Sequence, residues 1–284
     1  MAKKSFLTAL LVVMAVLCAE AQNNKVWKTD TVIDEKGNKI ITVYKQNNVA
    51  EGNGNIVTRD IDVAAFKEIS MILPATVNYR VADNCSCRVT LDENLFEYLD
   101  IHTKGDELIL GYVVEKVQHT NLKPSKFIIE ISAPTIEEIS LVGSGDFCFV
   151  TPYEAQKLKI QTAGSGSVIF NETANLKLFE MQIAGSGKLE CNNLYADHAN
   201  LSVAGSGNMY IESGKVKNAK ITVAGSGSAE TRCGLESMDY NIAGSGTIRY
   251  LGAVKVRGIK IGGEISRIDS ENGKPSKKSR RDDR

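Results

Sequence analysis

A Gly-Ser-Gly tripeptide returns six times in this 284-residue chain, starting at Gly143, Gly164, Gly185, Gly205, Gly225 and Gly244, at intervals of 21, 21, 20, 20 and 19 residues. Spacing this regular marks stacked structural repeats and must be read before any local secondary structure. The residues four and two before each first glycine include the pairs Ile139/Leu141, Met181/Ile183 and Ile221/Val223, and those four and six after it include Phe147/Phe149, Val168/Phe170 and Met209/Ile211. Apolar side chains two apart on both sides of a glycine turn predict strand, turn, strand. A period near 20 is too short for a helix pair, about half what a propeller blade needs, and has no cause in a sandwich. The expected architecture is all-β: a right-handed parallel β-helix with coils of about 19–21 residues, stacked ~4.8 Å apart.

The twelve glycines Gly143, Gly145, Gly164, Gly166, Gly185, Gly187, Gly205, Gly207, Gly225, Gly227, Gly244 and Gly246 are therefore structural turns at a corner shared by every coil, with Ser144, Ser165, Ser186, Ser206, Ser226 and Ser245 expected to form a hydroxyl ladder between them. A phosphate-cradling role fails on the residues. No repeat carries the third glycine of a dinucleotide fingerprint, a following Gly-Lys-Ser/Thr, or an amphipathic helix. Calcium-binding rolls need an Asp in every repeat, and only Asp146 directly follows a turn. No metal, cofactor or catalytic residue is assigned.

The pattern has imperfect copies at both ends. Ile259, Ile261, Gly262 and Gly263 continue it, with Gly263 taken as the next turn. Ile69, Met71, Val77 and Tyr79 repeat the apolar offsets around Leu73-Pro74-Ala75, which has lost its glycines. Strand-like runs at Arg88–Leu91, Leu108–Val114 and Phe127–Ser132 and a short helix over Asp92–Leu99 make an irregular first half. Residues 22–51 hold a hairpin around Glu35-Lys36-Gly37-Asn38 that would cap the stack; 52–268 form the β-helix domain; 269–284 are polar and basic, without apolar periodicity, and read as a disordered tail.

Lys3, Lys4 and the apolar run Phe6–Leu17 before Ala19-Glu20-Ala21 read as a secretory signal over residues 1–21. The run is short of the ~20 residues a membrane span needs, and lipidation at Cys18 is disfavoured by the bulk of Leu17. The chain is expected to be exported to the periplasm or outer surface, without a membrane span after cleavage. Lys and Arg (34) balance Asp and Glu (34), which gives no electrostatic case for nucleic acid. Cys85, Cys87, Cys148, Cys191 and Cys233 remain after cleavage, an odd number that leaves at least one thiol free. His102, His119 and His198 form no zinc spacing with them. Cys191 falls on the inward register, while Cys148 is one residue out of phase.

One outward position, three before each first glycine, holds Ser140, Gln161, Gln182, Ser202, Thr222 and Asn241, all neutral and polar. Stacked, they would form a flat strip able to hydrogen-bond a glycan's hydroxyls or a partner's backbone, or simply one another. The neighbouring position reads Glu138, Lys159, Glu180, Asn200, Lys220 and Asp239, where opposite charges can pair between coils. Asp146, Asp197 and Asp239 do not share a register, so the paired carboxylates of polysaccharide hydrolysis are not assembled.

The run Gly52-Asn-Gly-Asn-Ile-Val-Thr-Arg-Asp-Ile-Asp-Val, then Phe66-Lys-Glu-Ile, then spaced Ala-Gly-Ser-Gly turns resembles the auto-transporter adhesin head GIN domain family, over roughly Gly52 to Ile268. The resemblance implies an exported, β-helical bacterial protein of a kind frequent in Bacteroidetes, and it supplies no catalytic residues. Leu73-Pro74-Ala75 departs from its pattern, where a glycine-rich turn is usual. The expected function is non-catalytic binding of glycan or envelope protein through a rigid surface; the alternatives are a polysaccharide lyase or hydrolase and a self-associating structural component.

Overall fold

A computed structural model of the chain describes residues 27–33, 39–45, 48–117, 120–252 and 254–268. The expected leader, the Glu35–Asn38 turn, His119 and the basic tail lie outside the described residues. Strands β1 (Trp27–Ile33) and β2 (Lys39–Lys45) pair antiparallel as a sheet of their own.

The irregular half contains β3 (Asn48–Glu51), β4 (Ile56–Ile61), β5 (Glu68–Met71), β6 (Thr76–Val81) and β7 (Ser86–Asp92), then a 3-10 helix (Glu93–Tyr98). There follow β8 (Leu99–Lys104), β9 (Glu107–Tyr112), a one-turn α-helix (Val114–Val117), β10 (Thr120–Lys123) and β11 (Phe127–Ala133). The regular half runs through β12 (Glu138–Gly143), β13 (Asp146–Phe149), β14 (Tyr153–Gly164), β15 (Ser167–Gly185) and β16 (Lys188–Gly205). It ends with β17 (Asn208–Gly225), β18 (Ser228–Thr231), β19 (Gly234–Leu251) and β20 (Lys255–Ile268).

Successive coils pair parallel and in register, so the fold is a β-solenoid of about six turns. The glycine corner separates two runs of strand. Before the corner the order is β8-β9-β5-β12-β14-β15-β16-β17-β19-β20, and after it β4-β7-β11-β6-β13-β15-β16-β17-β18-β19-β20. The degenerate copy read around Leu73-Pro74-Ala75 is the first coil, because Ile69 pairs with Ile139 and Val77 with Phe147 across 70 residues of sequence. The chain before and between them extends both runs with antiparallel partners, β7 on β11 and β4 on β7 on one side and β8 on β9 on the other.

The corner needs glycine for two separate reasons. Gly164 has φ +132°, in the region L side chains avoid, and a Cβ there would strike the Gly143 carbonyl oxygen of the coil before. Gly166 lacks a positive φ, yet its Cβ would collide with the Gly145 carbonyl oxygen. That carbonyl row is the ladder itself: Ser165, Ser186, Ser206 and Ser226 each donate a backbone N–H at 2.9 Å to the first glycine of the previous coil. The link expected from serine hydroxyls is thus made by serine N–H groups, and the serine side chains stand exposed.

Inward positions are filled as the period predicts. Phe147, Phe149, Phe170, Phe179, Tyr79 and Tyr153 gather at the N-terminal end, Phe149 and Phe170 stacked at 4.1 Å, while Leu189, Met209, Ala229 and Ile248 continue the column toward the C-terminus. Cys191 is buried and Cys148 half-buried, and the five described cysteines are unbridged.

The last coil departs from the expected register. Gly262, not Gly263, pairs with Gly244, so Gly258 and Lys260 face the inward residues Tyr240 and Ile242. Ile259 and Ile261 are thrown to the outside, 68% and 74% exposed, beside Asn241 and Ala243. A one-residue slip reverses every side chain of a strand.

Candidate binding face

The pre-corner strands carry three outward columns. Ser140, Gln161, Gln182, Ser202, Thr222 and Asn241 are register neighbours from β12 to β19, so the strip expected from sequence exists as one row. Its members differ in access. Gln182 and Asn241 are exposed and Ser140, Ser202 and Thr222 half-buried, but Gln161 is only 7% exposed, its Nε2 donating to Gln182 Oε1 at 3.2 Å. Part of the row is therefore spent on itself.

Beside it runs a column that the periodicity did not single out: Val142, Ala163, Ala184, Ala204, Ala224 and Ala243, again in register. Val142 and the five alanines precede the glycine turns on the outward side of the strand, although Ala163, like Gln161, is buried. Together the two columns make a flat, uncharged face of short side chains between Ser140 and Ala243.

Charge begins in the third column. Lys159 Nζ donates to Glu138 at 2.8 Å, Lys157 pairs with Glu180 at 3.1 Å, and Arg257 with Asp239 at 3.5 Å. The pairing expected between coils is present for the first of these columnar neighbours. At the N-terminal end the column continues as Glu138, Glu68 and Glu107 on successive strands. Sequence reasoning missed this trio because Glu68 and Glu107 belong to the glycine-less coil and its insertion. Ser70 donates its hydroxyl to Glu107, and nearby His102 Nδ1 lies 2.9 Å from Asp100 Oδ1.

The three aspartates weighed for acid catalysis do not converge. Asp146 accepts the Ser167 N–H at 3.0 Å after the corner, Asp197 pairs with Lys217 at 2.7 Å on the third side of the coil, and Asp239 sits on the pre-corner charged column. Lys217 holds the Asp197 carboxyl below its usual range. Burial pushes the Cys87 and Cys191 thiols up to about 12, far from thiolate chemistry. Among the described residues no group of three or more His, Cys, Asp or Glu could hold a metal, and no helix is long and apolar enough to cross a membrane.

Stacked parallel coils with two in-register outward columns define a β-solenoid with a repetitive flat face. The family model described as "Putative auto-transporter adhesin, head GIN domain" matches residues 65–253, and the chain belongs to that family. Among solved structures it is similar to a "putative lipid binding protein" from Parabacteroides distasonis ATCC 8503, with 27% identity, TM-score 0.68, and 78% of this chain and 100% of that chain covered. A "putative adhesin" from the same organism gives 23% identity and TM-score 0.67 over 78% of this chain and all of that one. A "putative adhesin" from Bacteroides fragilis NCTC 9343 gives 22% and 0.68 over 77% and 100%. The two adhesin likenesses show the shared fold. A comparison with functionally curated proteins finds no match.

Proposed function

We propose that this protein is an exported, non-catalytic binding component of the cell envelope that presents its flat pre-corner face to a glycan or to the surface of an envelope protein. The observation that carries the reading is the pairing of two uncharged columns, Val142 and five alanines beside Ser, Thr, Gln and Asn, in strict register over six strands. Neutral hydrogen-bonding groups next to methyl groups suit a repeating hydroxylated ligand, whose polar edges and apolar ring faces need both. Adhesin-type relatives support binding as the general role.

The test is a glycan array with the wild type and a variant carrying Gln182→Glu and Asn241→Glu, the two exposed amides of the row. A bound glycan lost by the variant supports the face; unchanged binding removes it from consideration. A second reading, cleavage of polysaccharide, has one observation in its favour: Glu107, Glu68 and Glu138 stand on adjacent strands, ~4.8 Å apart per step. Glu107 and Glu138 are already engaged by Ser70 and Lys159. Incubation with a panel of acidic polysaccharides, scored for new reducing or unsaturated ends, decides it, and no cleavage is expected.

A further inference from the structure

The two ends of the solenoid are chemically unlike. At the N-terminal end the 3-10 helix Glu93–Tyr98 and the turn Val114–Val117 lie among edge strands, and residues 51–117 hold twelve Asp and Glu against six Lys and Arg. At the C-terminal end β20 closes the strand order, and residues 255–268 reverse the balance, with four Lys and Arg against one Glu. The described solenoid is therefore acidic at one end and basic at the other. On this basic last coil lie Ile259 and Ile261, the most exposed large apolar side chains described, with exposed Lys255, Arg257 and Lys260 on the same strand.

Lysine and arginine on an edge strand are explained by protection against strand pairing. Two outward isoleucines are not, because they add the liability that the cations remove. The sequence from Asp269 to Arg284 offers no Val, Ile, Leu, Met or aromatic side chain to pair with them. A second copy meeting end to end would set Lys255, Arg257 and Lys260 against their own like charges. What fits isoleucines set among cations is a surface with phosphates outside and hydrocarbon beneath.

We propose that the C-terminal coil is a docking surface for anionic lipid. Ile259 and Ile261 enter the boundary between headgroups and acyl chains, Lys255 on the same outward side of the strand meets a phosphate, and Arg257, also on that side, exchanges its exposed, 3.5 Å contact with Asp239 for a lipid phosphate. The patch borders the flat face, with Ile259 beside Asn241 and Ile261 beside Ala243, but its variants lie on β20 alone, so vesicle binding and the glycan array can fail separately.

The test is co-sedimentation with vesicles of equimolar phosphatidylglycerol and phosphatidylcholine against vesicles of phosphatidylcholine alone, using the full chain and a preparation starting at Gln22 so that the apolar run at residues 6–17 cannot insert. Both should prefer the anionic vesicles by about ten-fold or more at low salt, and lose the preference at high salt. Ile259→Ser with Ile261→Ser, and separately Lys255→Glu with Arg257→Glu, should each abolish it while thermal unfolding still shows a folded protein. Should a variant fail to fold, Ile261→Trp serves instead: its emission should shift to the blue with anionic vesicles only. Equal binding to both vesicle types, unchanged binding by the folded variants, or an unshifted tryptophan overturns the proposal. So does light scattering that shows the wild type as a dimer or larger and the isoleucine variant as a monomer, which would make the patch an interface between copies.

Discussion

The carboxylate of Asp92, fully buried at the end of β7, accepts the backbone N–H of Gly54 at 2.9 Å. Its other oxygen accepts the Ser125 N–H at 2.7 Å, so a single side chain ties the 52–55 loop to the 124–126 loop. Gly52 packs so close that a Cβ there would overlap the carboxyl group, and Gly54 has φ +76°. The Gly-Asn-Gly-Asn run that opens the domain is thereby explained: one glycine makes room for the carboxylate and the other turns the chain to donate to it.

Replacing Asp92 with Ala should lower stability by about 2 kcal/mol, since it removes two hydrogen bonds to a charged acceptor and strands their buried donors. Burial acts to raise the Asp92 carboxyl, but the N–H donors of Ser125 and Gly54 outweigh it and hold it below its ordinary value of 3.8. A lowered folded value means the stabilisation is complete above the unfolded value and is lost as pH falls through the folded one. Urea midpoints of wild type and Asp92→Asn should therefore differ at pH 7 and draw together below about pH 3.8. A constant gap across that range would show the carboxylate charge to be irrelevant.

The corner glycines should not be equivalent under substitution. Gly143 has φ +106°, but a Cβ there would meet only the Ile72 carbonyl, at 3.9 Å, because the coil beneath is the glycine-less one. Gly143→Ala should cost about 1–2 kcal/mol, the penalty of the left-handed region alone. At Gly164 the same change adds a collision with the Gly143 carbonyl and should cost more than about 3 kcal/mol. Thermal midpoints of the two variants check the order, and equal losses would mean the coils can spread to admit a methyl group.

That contrast also shows what the sequence made legible. Period, corner, inward columns, strip and first coil could all be read because each is a repeat of residue types at fixed offsets. The folding of residues 82–137 could be read only as strands, because nothing local says that β7 and β8 reverse direction against the coils. The alanine column hid in plain view, since Ala163 and Ala184 read as part of a turn motif until register placed them on a face. The Glu107–Glu68–Glu138 row needs pairing across the insertion to exist at all.

Thr162 stands in an inward position between Leu141 and Ile183, and its hydroxyl is the buried side-chain oxygen left without a partner among the described residues. Val has nearly its shape without the oxygen. Thr162→Val should stabilise the protein by about 1 kcal/mol, raising the urea midpoint at an unchanged slope. A fall in the midpoint would reveal that the hydroxyl has a bonding role.

The final coil offers a test of register by stability. Extending the 19-residue interval would set Ile259 and Ile261 inward over Tyr240 and Ile242, whereas the 18-residue pairing of Gly244 with Gly262 sets Gly258 and Lys260 there. After the corner the pairing tightens again, Ile248 lying opposite Ile265, so the strand sacrifices its pre-corner isoleucines to keep the later ones in line. Outward isoleucines on an edge contribute little to folding. Ile259→Thr and Ile261→Thr should each change stability by less than about 0.5 kcal/mol, while Ile242→Ala, in the buried column, should cost about 2–5 kcal/mol. Losses of more than about 1 kcal/mol in either Thr variant would place these side chains in the core and restore the longer interval.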